Sequence, residues 1–376
     1  MKPPSTFVHH PRKLAAGLLS VALAFSVGAC SSTASTSNSG SATATSTATS
    51  QTITDQLGHQ VTVPTQIDRI ADSWPAHTEV LMTLGAGDKI VATANTPKSL
   101  PWMFYIQPSL NNAIVTTAQN FNTESLAQKN PDIFFMSPGN ANADKIQSMG
   151  IPTVQLNFTT YDQMKQTMSI TGNILGGDAP ARATKFNDNL DQTLASTKKV
   201  SDTIPASQKP KVLHIQSFNP LQVDGSDTII DQWINAAGGV NAAASISGNQ
   251  KPVSMEQIIS WNPDVIIVGD GLPATVNTIE TDSAWSTVNA VKNKKVLLDP
   301  TGVFHWDRYS PEAVLQIPWA AKTLHPDLFS NIDMVKEVQD YYQNFLNYNL
   351  TADQANLILA GEPPASSSAS ASASGH

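Results

Sequence analysis

Short apolar runs recur along the chain, with stretches of helical periodicity between them. Each run is rich in β-branched or aromatic residues, and continuous runs of this kind are typical of buried parallel strands joined by crossover helices. The predicted strands are 69–71, 90–92, 133–136 and 153–156 in the first half of the chain and 212–215, 265–268 and 296–298 in the second. The pattern therefore predicts an α/β protein with two Rossmann-like lobes.

One long amphipathic helix is predicted between the two halves. Asp178 can cap it, Pro180 fits its first turn, and Phe186, Leu190 and Leu194 repeat on one face at intervals of four. A helix from about 179 to 200 would be roughly 30 Å long and would limit how far two lobes could open. The alternative is a peripheral helix of one larger domain.

The amino terminus has the pattern of an export signal. Basic residues without acids precede the apolar run Leu14–Val27, which is too short to span a bilayer. The run ends in Val27-Gly28-Ala29-Cys30, which resembles the bacterial lipobox, so Cys30 would be lipid-modified and become the first mature residue. The alternative is a signal peptide with a chance cysteine at its end.

Composition sets the domain boundaries and excludes some functions. Almost every residue from 31 to 51 is Ser, Thr or Ala, which is typical of a flexible tether. The predicted domains are a signal peptide at 1–29, a tether at 30–51, a first lobe at 52–177, a linking helix at 178–203, a second lobe with terminal helices at 204–361 and a disordered tail at 362–376. The net charge of −8 over 376 residues becomes −11 once the signal is removed, which argues against nucleic acid as a partner. A single cysteine excludes internal disulfides and multi-cysteine metal sites.

A short motif occurs once in each half. Glu124 lies six residues before Asn130-Pro131-Asp132, and Glu256 lies six residues before Asn262-Pro263-Asp264. The proline disfavours helix at the preceding Asn, so each motif predicts a short helix that ends there and leads into a strand. Each Glu would be exposed near a helix start, where the helix dipole favours a carboxylate. For either Glu alone, a helix-start carboxylate is the simpler interpretation, and the repeat makes the pair look like matched surface features.

Taken together, these motifs resemble a known family. The lipobox, Ser73–Glu79 followed by Leu84–Val91, both Asn-Pro-Asp turns and Leu350–Gln354 are similar to ABC-importer substrate-binding lipoproteins of the helical-backbone class. That class carries iron–siderophore complexes, haem and cobalamin, and the resemblance covers about residues 52–360. It implies a ligand cleft between the lobes and a permease dimer with its ATPase as partners. It also implies that Glu124 and Glu256 dock into arginine pockets of the permease.

The loop after the last predicted strand holds the strongest candidates for ligand contact in the second lobe. It contains His305, Trp306, Arg308 and Tyr309, which together can stack a flat ligand and neutralise an anionic one. The family resemblance places Arg308 at the cleft arginine of siderophore binders. The alternative is that Trp306 packs on the next helix and Arg308 pairs with Asp307 or Glu312. Asp307 is expected to orient Arg308 rather than to touch the ligand.

The remaining candidates lie mainly in the first lobe. His77 begins a helix after a strand and could contact a ligand or be only a first-turn residue. Trp74 stands beside it, and the turn-rich segment 101–108 suggests an aromatic wall rather than a core helix. The predicted ligand contacts outside the 303–309 loop are Trp74, His77, Trp102, Phe104, Tyr105 and Phe218. His214 is interpreted as a core residue.

Two other functions compete with the importer interpretation. His77 and His305 could serve a zinc- or manganese-binding importer subunit, although the chain has no His-rich loop. A surface-anchored hydrolase is the alternative of a different class, but the motifs of serine hydrolases, zinc proteases and phosphate-binding loops are absent from the sequence. We therefore expect a non-enzymatic, extracytoplasmic binding subunit attached to the membrane only through its lipid. Its expected ligand is an iron(III)–siderophore or related metal–organic complex, with haem and cobalamin as alternatives and no intrinsic cofactor.

Overall fold

The computed structural model describes residues 49–116, 122–269 and 271–365. The predicted signal peptide, Cys30 and nearly all of the tether lie outside the described residues, as does the tail from 366 onward. The described chain starts with a hairpin in which β1 (Ser50–Thr54) pairs antiparallel with β2 (Gln60–Pro64). Residues 50 and 51 therefore belong to the folded body and not to the predicted tether.

The first lobe is built on a five-stranded sheet. All of its neighbouring strands are parallel, in the order β5-β4-β3-β6-β7. The strands are β3 (Ile70–Asp72), β4 (Ile90–Thr93), β5 (Ile114–Val115), β6 (Ile133–Met136) and β7 (Thr153–Gln155). The helices are α1 (His77–Thr83), α2 (Pro101–Ile106), α3 (Thr123–Lys129), α4 (Ala143–Ser148) and α5 (Tyr161–Leu175). The whole of β6 is buried, as the continuous apolar run predicts.

The second lobe repeats this plan with an antiparallel edge. In the order β11-β9-β8-β12-β13, the strands β8, β12 and β13 are parallel, and β10 also pairs with β8. The strands are β8 (Lys211–Phe218), β9 (Leu221–Val223), β10 (Val240–Asn241), β11 (Lys251–Pro252), β12 (Val265–Val268) and β13 (Val296–Leu298). The helices are α7 (Ile229–Ala236), α8 (Met255–Trp261), α9 (Pro273–Thr281), α10 (Asn289–Lys292), α11 (Ala313–Leu324), α12 (Met334–Phe345) and α13 (Ala352–Leu359). Short 3₁₀ turns lie at Gly87–Lys89, Pro108–Asn112, Ala206–Gln208 and Ser283–Trp285.

A single helix, α6 (Ala179–Ser201), connects the two sheets. Its 23 residues give a length of about 34 Å. On the predicted apolar face, Phe186 and Leu190 are fully buried and Leu194 is partly buried. This helix packs against α5 of the first lobe and against α7 and α11 of the second. It is the helix that the apolar spacing predicts. Because it packs against both lobes, a large hinge opening would expose apolar surface that is now buried.

The fold class predicted from the sequence is confirmed. The seven predicted strands are all present, and those at 133–136, 265–268 and 296–298 have the predicted limits. Within the described residues, none of the helices combines the length and hydropathy needed to cross a membrane.

Candidate ligand-binding cleft

The loops that leave the carboxyl ends of the parallel strands face each other between the lobes. Phe158 follows β7 in the first lobe, and its ring centroid lies 6.3 Å from that of Tyr309 in the second lobe. The hydroxyl of Tyr161 donates to the carbonyl of Ala313 at 3.3 Å, and the side-chain oxygen of Gln232 accepts from the Tyr161 backbone N–H at 2.8 Å. Strand ends at the junction of two α/β lobes are the usual place for a small-molecule site.

Aromatic rings form a row across this junction. Trp74 follows β3, and its ring lies 5.2 Å from Phe158, which in turn contacts Tyr309. Trp74 is 9% exposed and Phe158 is 1% exposed. The lobes therefore already touch here, and a wide, flat ligand at this point would need them to separate.

His77 does not reach the cleft. Its side chain is fully buried, its Nε2 lies 3.0 Å from the Thr171 hydroxyl, and its ring packs 4.6 Å from that of Phe135. The ring also stacks on Trp74 at 5.6 Å. The position of His77 supports its interpretation as a packed first-turn residue and does not support the predicted ligand contact.

The segment around Trp102 forms a buried helix, so the prediction that the turn-rich segment 101–108 is an aromatic wall and not a core helix is wrong. Pro101 occupies the first turn of α2, where a proline needs no N–H partner. The Trp102 side chain is 1% exposed, and its indole N–H donates to the carbonyl of Glu362 at 2.8 Å. Phe104 is buried, and the partly exposed Tyr105 accepts a hydrogen bond from Gln354. Trp102 and Tyr105 therefore bond the C-terminal segment to the first lobe, and these positions do not support the predicted ligand contacts.

Two further aromatic candidates also have packing roles. Trp306 is fully buried, as the alternative interpretation of that loop expects. Phe218 ends β8 half-buried, with its ring 6.3 Å from that of Trp285. Neither position supports a direct ligand contact.

Arg308 adjoins Tyr309 at the junction of the lobes and is held by Asp307. Its Nε donates to Asp307 Oδ1 at 2.8 Å, and its Nη2 donates to Asp307 Oδ2 at 2.7 Å and to the carbonyl of Gly269. The Arg308 side chain is 16% exposed, whereas Asp307 is fully buried. Burial opposes the charged form of Arg308, but Asp307 outweighs it and raises the pKa of the guanidinium. The predicted role of Asp307 in orienting Arg308 agrees with this bidentate geometry, and the pairing is also the one that the alternative interpretation of the loop expects.

The other polar groups of this loop are neutral at physiological pH. Burial and the nearby Arg308 lower the pKa of His305 to about 4, so its imidazole carries no charge. Burial raises the pKa of the Tyr309 hydroxyl, which has no hydrogen-bond partner among the described residues. The loop therefore offers one cation and two neutral polar groups.

Sequence reasoning missed the groups behind Arg308. His214 is buried, as expected for a core residue, but its Nδ1 lies 2.7 Å from Asp224 Oδ2 and its Nε2 lies 2.8 Å from Asp307 Oδ2. The available signal was a histidine within an apolar strand, a position that requires polar partners. Across the described ranges, no group of three or more His, Cys, Asp or Glu side chains is placed to hold a metal ion. The structure thus does not join His77 and His305 in a metal site.

A pair of buried carboxyl groups lies where α1 meets α11. Glu79 accepts from the Tyr341 hydroxyl at 2.9 Å, and Glu312 accepts from the Phe304 backbone N–H at 2.8 Å. Burial raises the pKa of Glu312 to about 7. Burial, reinforced by Glu312, raises the pKa of Glu79 well above its usual range. The two lobes are therefore joined through acids that favour their protonated forms.

This pair predicts a pH dependence of stability. A carboxyl group whose pKa is raised on folding binds more protons in the folded state, so stability falls as pH rises from about 4.5 to about 7. For Glu312 the loss is on the order of 3 kcal/mol. We expect Glu312→Gln to flatten the decline in melting temperature between pH 5 and pH 7.5, whereas Glu280→Gln, at an exposed site, should leave it unchanged. A full decline in Glu312→Gln would contradict this explanation.

The repeated Glu motif forms two matching helices. Glu124 and Glu256 are exposed in the first turns of α3 and α8, which are capped by Asn122 and Ser254. The prolines end both helices as predicted, because the preceding Asn130 and Asn262 adopt the left-handed conformation with φ of 46° and 45°.

Both helices are tied to their lobes in the same way. Asp132 accepts from the backbone N–H of Arg69 at 2.8 Å, next to the start of β3, and Asp264 accepts from that of Lys211 at 2.9 Å, at the start of β8. Both basic side chains reach back to a carbonyl at the helix end, Arg69 to Asn130 and Lys211 to Trp261. Glu124 and Glu256 therefore occupy equivalent exposed positions on helices that are held to the body of each lobe.

The fold and site define a class: a two-lobed, helix-linked protein with a cleft between its lobes and matching carboxylates on each lobe. Comparison with known sequences agrees, since a family model described as periplasmic binding protein matches residues 73–301. The chain belongs to this family. It is a substrate-binding protein of an ABC transporter and not an enzyme, and proteins of this family act outside the cytoplasm with permease and ATPase components.

Three relatives illustrate the range of the family. The molybdate-binding protein MolA of Haemophilus influenzae is 28% identical over 330 residues, covering 81% of this chain and 93% of that protein. Its molybdate-bound structure matches with a TM-score of 0.73 and 26% identity over 80% of this chain and 99% of that one. A periplasmic solute-binding protein from Veillonella parvula has a TM-score of 0.72 and 29% identity, over 82% and 97% of the two chains. The iron(3+)-hydroxamate-binding protein YxeB of Bacillus subtilis is 24% identical over 257 residues, covering 64% of this chain and 78% of that protein.

Proposed function

We propose that this protein is a lipid-anchored importer subunit that captures a compact, metal-containing anion between its lobes, with a molybdate-type oxyanion as the first candidate. The observation that carries the proposal is the Arg308 guanidinium, which Asp307 holds beside Tyr309 at the junction of the lobes. Its bonds to Asp307 and Gly269 use Nε and Nη2, and within the described part of the chain Nη1 has no hydrogen-bond partner. A planar guanidinium with a spare donor suits an oxyanion.

The contact between the lobes supports a small ligand. The rings of Phe158 and Tyr309 are already 6.3 Å apart, and Tyr161 bridges to Ala313. A tetrahedral oxyanion would require little separation of the lobes at this point. Similarity to MolA along most of both chains supports the same ligand class.

An iron(III)–hydroxamate siderophore is the second candidate. The aromatic row Trp74, Phe158 and Tyr309 favours it, because aromatic side chains can pack against the organic shell of a chelate. This ligand requires the lobes to part enough to expose the row. Arg308 would then contact the oxygen-rich centre of the chelate.

Delivery is proposed to use the two matched carboxylates. Glu124 and Glu256 are exposed, and their helices are tied to the first strand of each lobe. Two fixed anionic groups facing cationic sockets on a permease would set orientation and encounter rate. Cys30 is the proposed lipid attachment site.

The ligand assignment is tested by native mass spectrometry of the purified protein against a mixed panel. The panel contains molybdate, tungstate, sulfate, a ferric hydroxamate, haem, cobalamin and zinc ions. We expect retention of the mass of a molybdate or tungstate ion at one per protein. Retention of only the ferric hydroxamate would favour the second candidate, and retention of only haem, cobalamin or zinc would contradict both.

A further inference from the structure

A chain of buried charged groups continues behind Arg308 into the second lobe. Asp307 bonds Arg308 on one side and His214 Nε2 on the other, at 2.7 Å and 2.8 Å. His214 Nδ1 then meets Asp224 at 2.7 Å. The order of groups from the cleft inward is guanidinium, carboxylate, imidazole and carboxylate.

The geometry requires His214 to carry a proton on both ring nitrogens. Each nitrogen faces a carboxylate oxygen at hydrogen-bond distance, and an ionised carboxylate can only accept. A neutral imidazole has one N–H and would leave one of these short contacts without a donor. Burial opposes the charged form, but the bonds from Asp224 and Asp307 outweigh it and raise the pKa of His214 to about 9.

The surroundings hold this chain rigidly. The indole N–H of Trp233 donates to the Asp307 carbonyl at 3.0 Å, and the backbone N–H of Gln250 donates to Asp224 at 2.9 Å. A Cβ atom added to Gly269 would lie 2.0 Å from Asp307 Oδ2 and 2.6 Å from His214 Nε2. Only a residue without a side chain fits beside the cluster, so the groups have little freedom to rearrange.

We propose that Asp224, His214 and Asp307 form a positioning chain that fixes the Arg308 guanidinium toward the cleft, and that the charge of His214 offsets one of the two carboxylate charges behind it. This inference rests on the proposed function for its ligand, while the positioning itself does not depend on the ligand. His214 and Arg308 balance Asp307 and Asp224, so the chain is neutral overall. Without His214 it holds two carboxylates and one cation, a net negative charge behind the cleft.

Other titratable groups near the chain do not replace His214. Burial, and next the charge of the nearby Asp307, raise the pKa of Asp299 well above its usual range. Asp299 therefore favours its neutral, protonated form. His305 is uncharged at neutral pH, as described above, and the Tyr309 hydroxyl is protonated. Among the described groups around Asp307, His214 is therefore the second cation beside Arg308.

His214→Gln tests the proposal with two readouts, and His325→Gln is the matched control. His325 belongs to the same lobe and directly follows α11, and its Nε2 lies 3.1 Å from the Gly238 carbonyl. The first readout is the ¹⁵N NMR signal of the Arg308 Nε–H group, assigned by its absence in Arg308→Lys. We expect the wild-type protein and His325→Gln to show an Arg308 Nε–H signal that exchanges slowly with water. In His214→Gln we expect this signal to be lost or strongly broadened. The second readout is calorimetric molybdate affinity, expected to fall about tenfold or more in His214→Gln alone.

The outcomes separate the two proposals. An unchanged Arg308 signal in folded His214→Gln would overturn the positioning chain whatever the ligand. A lost signal, with no molybdate binding to the unmodified protein, would support positioning and refute the oxyanion assignment. If His214→Gln does not fold, the pH profile of the unmodified protein decides. Molybdate affinity should then fall as pH rises through about 9, where His214 loses its proton, and an unchanged affinity would overturn the role of its charge.

Discussion

Reversing both Glu124 and Glu256 to Lys is expected to abolish transport while leaving ligand binding intact. The two side chains are exposed at the starts of matching helices, so the substitutions should not disturb the folded body. Each reversal replaces an attraction to a cationic socket with a repulsion, and like charges brought together cost several kcal/mol. We expect at least a ~100-fold loss in apparent affinity for the reconstituted permease and ATPase, measured by surface plasmon resonance and by stimulated ATP hydrolysis.

The matched control reverses one exposed acid on each lobe away from these helices. Asp144 in α4 and Glu280 in α9 provide such a pair. The Asp144→Lys, Glu280→Lys variant has the same change in net charge and should keep most of its docking. Unimpaired docking of the Glu124, Glu256 variant, or equal loss in both variants, would remove the docking assignment.

Replacing Arg308 by Ala is expected to weaken ligand binding by tenfold or more. The substitution removes the cation at the junction of the lobes and leaves Asp307 bonded to His214. Because a buried carboxylate loses two donated bonds, we also expect a stability loss of about 1–3 kcal/mol. Arg308→Lys should restore charge without the two-pronged geometry and recover only part of the affinity. Titration calorimetry and thermal unfolding measure the two effects separately.

Arg182→Ala is the control for the loss of a partly buried guanidinium. Arg182 donates to the carbonyls of Thr83 and Phe345, and neither of these residues bonds to Arg308. The Arg182→Ala variant should lose about as much stability as Arg308→Ala but keep its ligand affinity. Folded Arg308→Ala with unchanged affinity would assign Arg308 a structural role only.

The strands and helices could be predicted from the sequence because hydrophobic periodicity and backbone restrictions depend on residues that are neighbours in the chain. The run Val265–Val268 is apolar throughout, and it forms a strand buried on both faces. The proline after Asn262 ends α8 where its backbone restriction predicts. The repeated motif by itself indicates two comparable lobes.

Side-chain exposure is not a local property, and there the predictions were less successful. Trp102 was expected on a cleft wall, but it packs beneath the C-terminal segment 260 residues away in sequence. His77 follows a strand end, as a cleft residue would, yet Thr171 and Phe135 enclose it. Arg308 is linked through Asp307 to His214, 94 residues earlier in the chain, and to Asp224 beyond it. Such partnerships arise from the sheet order, which spacing along the chain does not encode.

The most direct test of the central claim is the position of a bound oxyanion. A crystal of the protein grown with tungstate, an electron-rich analogue of molybdate, should show one strong anomalous peak at the tungsten edge. We expect this peak between the lobes, within hydrogen-bond reach of Arg308 and close to the row formed by Trp74, Phe158 and Tyr309. A peak elsewhere, or no peak in crystals that diffract well, would contradict this expectation.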